Sequence, residues 1–179
     1  MRKIVMALAM ASLSTPAMAG ELLWQNIEAG MTIDQVRALY PDARFEDDAG
    51  FWGGGRLDIR NYRPIPDCSA TARIHFENDA VGAVEVRGAG AYGGRCSSEI
   101  EEMLKDKYGE PRESDQKWGG CTVYSCMTQT WLSIWDRGGV VMRYRRLHGQ
   151  GLVGASWVME YIPEARLEAL RAGDGDVGL

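Results

Sequence analysis

Gly88-Ala89-Gly90-Ala91-Tyr92-Gly93 has the G-x-G-x-x-G spacing whose backbone amides cradle a pyrophosphate when the motif joins a strand to a helix. That chemistry also needs a parallel crossover unit and an acidic residue about twenty positions on, at the end of the next strand. Lys107-Tyr108-Gly109-Glu110-Pro111 stands there instead and reads as a helix end, and Arg95 and Cys96 intervene before the helix begins. The glycines therefore read as a connection between two halves of the chain. No nucleotide or other cofactor is expected.

Catalytic sets do not assemble either. The two histidines, His75 and His148, fall within and just past strand-like segments, and no serine or cysteine occupies a nucleophile-elbow pattern. Asp47 with Asp48, and Glu99 with Glu101 and Glu102, are placed as solvated turn and helix surface. The expectation is a protein that is not an enzyme. A hydrolase with an unfamiliar site remains the enzymatic alternative.

Four cysteines are present, Cys68, Cys96, Cys121 and Cys126, with neither a C-x-x-C pair nor a paired-histidine spacing, so no metal site is expected. Residues 1–19 read as an export signal: Arg2 and Lys3, an apolar run over 4–13, then Ala17-Met18-Ala19 as a small-x-small cleavage pattern. Export to the periplasm or beyond favours disulfides. Of the three connectivities, Cys68–Cys96 with Cys121–Cys126 ties neighbouring segments, worth about 3.6 and about 2 kcal/mol by loop entropy. The apolar run is too short to span a bilayer, and no transmembrane segment is expected in the mature chain.

Removing nineteen of the 179 residues takes out two basic residues and no acidic one, shifting the net charge from −5 to −7. Such a chain is a poor general partner for nucleic acid or anionic membranes.

These groups must be positioned by helices and strands. Thr32 with Gln35 forms a capping box for a short helix closed by Pro41, with Ile33, Val36, Leu39 and Tyr40 on its apolar side. A second helix begins near Ser97 or Ser98 and ends at Tyr108-Gly109, with Pro111 beyond. Alternation predicts strands over 57–62, 70–77 and 81–87 after the first helix, and over 130–136, 140–147 and 156–162 after the second. The order repeats, which predicts a single α+β domain over 20–171. Two helix-then-antiparallel-strands halves, about 20–90 and 95–171, would form one extended sheet with helices on one face. A helix over 164–171 and a flexible tail over 172–179 complete the chain.

Gly30-Met31-Thr32 with Gln35-Val36 and Leu39, and the helix ending Lys107-Tyr108-Gly109-Glu110-Pro111, resemble the helix openings and endings of bacterial envelope proteins with the beta-lactamase-inhibitor-protein-like fold. The small outer-membrane-assembly lipoproteins are similar in the same motif. The resemblance implies a helix-plus-sheet protein that binds other proteins, with no catalytic residues to carry over. The lipid-bearing cysteine of the lipoprotein branch has no counterpart at the cleavage point.

Within the strands, Ile74 with Phe76, Val84 with Val86, Met142 with Tyr144, and Trp157 with Tyr161 make the apolar sets. The opposite sets bring Arg60, Arg73, Arg87, Arg143 and Arg145 to one sheet face, with His75, Glu85 and Glu160. The plain reading is a solvated face with cross-strand ion pairs. The functional reading is a concave, arginine-bearing surface for an acidic protein partner or an anionic envelope ligand, since the guanidinium fork matches carboxylates and phosphates. The expected function is an exported envelope binding module using that face, either inhibitory or assembly-related. Phe51 and Trp52, between glycines, offer an alternative as an anchor for a small molecule or glycan, or else fold back as a lid on the core edge.

Overall fold

The computed structural model describes residues 20–47, 54–90, 95–121, 126–149 and 155–173. The expected export signal, the Phe51-Trp52 loop and the last six residues of the expected tail lie outside them. In chain order the elements are β1 (Leu22–Trp24), β2 (Ile27–Glu28), α1 (Ile33–Leu39), β3 (Arg44–Glu46), β4 (Arg56–Ile65), β5 (Cys68–Glu77) and β6 (Ala80–Gly90). They are followed by α2 (Arg95–Tyr108), β7 (Glu113–Cys121), β8 (Cys126–Asp136), β9 (Val140–Gly149), β10 (Ala155–Pro163) and α3 (Glu164–Gly173). No helix among the described residues is long and apolar enough to cross a membrane.

Local chemistry sets the boundaries. The Thr32 hydroxyl accepts from the Gln35 amide while the Gln35 side chain accepts from the Thr32 amide, capping α1. Gly109, at φ 80°, ends α2 in the left-handed conformation a C-terminal cap needs. Asn78 and Asp79 (φ 51° and 62°) turn β5 into β6, and Gly138 and Gly139 (φ 60° and 94°) turn β8 into β9. Two consecutive left-handed residues match the twist of the flanking strands.

Eight strands form one antiparallel sheet in the order β3-β4-β5-β6-β10-β9-β8-β7, and β1 pairs with β2 separately. Two hairpin-linked runs thus meet along β6 and β10, placing the last strand in the middle. A disulfide joins Cys68, at the start of β5, to Cys96 in the first turn of α2.

The expected α+β architecture, two helix-then-strand halves with helices on one face, is overturned. The protein is mostly β, organised by the large antiparallel sheet. Val36 of α1 and Ile100 and Leu104 of α2 pack over Ile74, Val84, Trp135, Met142, Tyr144 and Trp157 on one face. Leu167 of α3 belongs to a second cluster with Ala83, Leu132, Ile134, Val141 and Ile162. These strand residues have the opposite parity to the main core, so α3 covers the other face at one end. Leu39, expected on the apolar side of α1, is 44% exposed. The helices are short, and strand pairing extends beyond the expected segments into β1, β2, β3 and β7.

Candidate binding face

Cross-strand register lines up Asp58, Arg73, Glu85, Glu160 and Arg143 in a single row across β4, β5, β6, β10 and β9. The adjacent row runs Thr71, Arg87, Val158, Arg145. All lie on the face opposite the main core, because Ile74, Val84, Met159 and Tyr144 occupy the alternate positions. The structure therefore brings Arg73, Arg87, Arg143 and Arg145 together, with Arg60 in the middle of β4 at a register shift beside Asn61, whose φ is 59°.

Each of the five arginines has a carboxylate near it. Arg73 lies 3.4 Å from Glu85 and 3.8 Å from Asp58, and Arg87 lies 3.6 Å from Glu85. Arg143 and Arg145 reach the two oxygens of Glu160 at 3.1 and 3.3 Å. Arg60 lies 3.8 Å from Glu46, and Arg56 adds a 3.0 Å pair with Asp58. Six guanidiniums thus share four carboxylates.

Burial sorts them. The Arg143 and Glu160 side chains are 6% and 5% exposed, and their contact lacks hydrogen-bond alignment, leaving Arg143 Nε and Glu160 Oε2 without such a partner. Arg143 is thus part of the sheet's interior. The side chains of Arg60, Arg87 and Arg145 are 53%, 46% and 40% exposed. Arg87 and Arg145 flank the half-buried Val158 in register, which makes a small apolar patch between two accessible cations. Asp58, which anchors the row at β4, has its signal in the sequence as the period-2 neighbour of Arg60.

Other sequence candidates resolve differently. Gly88 and Gly90 lie in β6, an antiparallel strand, so the glycine motif has no parallel crossover geometry. A β-carbon on Gly88 would sit 2.5 Å from the Trp157 ring, which gives that glycine a packing reason. Phe51 and Trp52 fall outside the described residues. Cys121 stands opposite Cys126 in the β7–β8 register, while their side chains lie outside the described set. Among the described residues no group of three His, Cys, Asp or Glu side chains is arranged to hold a metal ion. No family model, curated protein or solved structure matches the chain.

Proposed function

We propose that this protein is an exported envelope binding module that engages an acidic protein partner through the Arg87–Val158–Arg145 patch. The observation that carries the reading is the surplus of guanidiniums over carboxylates on this face, with the surplus accessible at Arg87 and Arg145. Each already shares its carboxylate with a less exposed arginine, Arg73 or Arg143, so an incoming carboxylate completes a pairing the protein leaves incomplete. Val158 supplies an apolar centre between them, as interface cores require. The N-terminal export pattern and the Cys68–Cys96 disulfide support an oxidising compartment.

The test places a photo-crosslinking residue at Val158 in cells and identifies what is captured. Its affinity for wild type and for Arg87→Ala/Arg145→Ala is then measured at two ionic strengths. The expected outcome is a loss of roughly thirtyfold or more with marked salt dependence, with stability changed by about 0.5 kcal/mol. Equal affinity for the two proteins contradicts the reading. Envelope protein beginning at or near Gly20 is the matching outcome for export.

A further inference from the structure

On the other face of the sheet, a cavity of about 300 Å³ opens between the β1–β2 hairpin, the second half of α2 and β10. Its lining is rich in aromatic rings. Trp24 meets Tyr62 edge-on at 5.0 Å between ring centroids, and Tyr108 and Tyr161 add two more rings. Two cations stand among them. The Arg137 guanidinium lies over Tyr108 and Tyr161 at 5.1 and 5.8 Å, and the Lys107 ammonium lies 5.1 Å from the Tyr108 centroid.

Neither cation makes an ion pair among the described residues, and no Asp or Glu lines the cavity. This is a local reversal in a chain whose net charge is −5. Arg137 spends one donor on the Leu23 carbonyl at 3.2 Å, which holds the guanidinium in place and leaves its other N–H groups available. Tyr161, only 6% exposed, has as its hydroxyl's partner the Met159 sulfur at 4.0 Å, a weak acceptor at long range. A buried hydroxyl so poorly matched is a donor awaiting an acceptor.

We propose that this cavity binds a small aromatic carboxylate, its ring packed against Trp24, Tyr62 and Tyr108 and its carboxylate accepting from Arg137 and the Tyr161 hydroxyl. Aromatic walls favour a flat ring by edge and offset contacts. A guanidinium fork and a hydroxyl match the planar carboxylate, and Lys107 adds a further positive charge. The volume, at the lower end for ligand pockets, selects a compact acid over a long acyl chain. The site shares no residue with the Arg87–Arg145 patch and stands or falls separately from it.

The experiment titrates the purified protein with 2-naphthoate, neutral 2-naphthylmethanol and cationic 2-naphthylmethylammonium by calorimetry. Naphthoate is expected to bind at least about tenfold more tightly than the alcohol, with the ammonium weakest. Arg137→Gln and Tyr161→Phe should each weaken naphthoate roughly tenfold and weaken the alcohol, a poorer acceptor, clearly less. Lys107→Gln, at an exposed position free of structural contacts to carboxylates, should weaken it less. Arg145→Ala, on the opposite face, should have no effect. No binding of naphthoate, equal binding of the three probes, unchanged naphthoate affinity in all three cavity variants, or a loss in Arg145→Ala overturns the proposal.

Discussion

Glu85 and Glu160 stand directly opposite each other where β6 meets β10, two carboxylates in register at the middle of the sheet. Like charges in that relation repel. Arg73 and Arg143 flank them in the same row, and Arg87 and Arg145 reach them from the next, so the anions sit inside a frame of cations.

Glu160→Gln should lower stability by about 3 kcal/mol, because it leaves the buried Arg143 guanidinium without its counter-ion. The paired change Arg143→Met/Glu160→Leu should recover most of that loss, since removing both charges removes the desolvation cost. Urea unfolding of the three proteins measures both effects. A Glu160→Gln protein as stable as wild type would mean that the pair is solvated.

Gly88→Ala should cost about 1–3 kcal/mol by overpacking. The added methyl meets the Trp157 ring at 2.5 Å and the Ser69 carbonyl oxygen at 3.0 Å, and Trp157 is 1% exposed, leaving the ring little room to retreat. Near-ultraviolet circular dichroism should report the ring's displacement. ATP and NAD should produce no shift in melting temperature for wild type.

Alkaline pH should destabilise the protein through Tyr144 and Tyr161, both raised above the ordinary phenol value of 10.0 chiefly by burial. Above that pH the unfolded chain releases phenolic protons that the folded protein retains, so stability is full below pH 10 and falls as pH rises. Tyr144→Phe should show a shallower decline in urea midpoint above pH 10. It should also be less stable at neutral pH by about 1 kcal/mol, through loss of the hydrogen bond to the Ser97 carbonyl. Parallel slopes for the two proteins would contradict this.

Non-reducing peptide mapping should recover a Cys68–Cys96 peptide and a Cys121–Cys126 peptide, given the formed bond at the first and the facing register of the second. Cys96→Ser should cost about 3.6 kcal/mol. A peptide linking 96 to 121, or free thiols at 121 and 126, contradicts the second pairing.

The features legible in the sequence are those governed by neighbours along the chain. The Thr32–Gln35 cap, the Asn78-Asp79 and Gly138-Gly139 turns and the alternation in β5, β6, β9 and β10 all follow from local stereochemistry. What escaped depends on distant partners. β7 opens Glu113-Ser114-Asp115-Gln116-Lys117, polar on both sides as an exposed edge strand permits, and so lacks an alternating signal. Val141, Ile134 and Ile162 share their parity with arginines, and only the arrival of Leu167 from α3 makes them a core. The burial of Arg143 follows from its place mid-sheet against Glu160. The aromatic cavity was invisible because Trp24, Tyr62, Tyr108, Arg137 and Tyr161 come from five separate elements or turns.

The place of β10 imposes an order on assembly. β5 and β6 can pair as soon as their turn closes, but the other edge of β6 waits for a strand that begins at residue 155. Until then the Val84-Glu85-Val86-Arg87 run presents unpaired amides and carbonyls on a segment with strong strand propensity. A chain truncated before residue 155 would keep that edge open, so intermolecular strand pairing, rather than a soluble half-protein, is its expected fate.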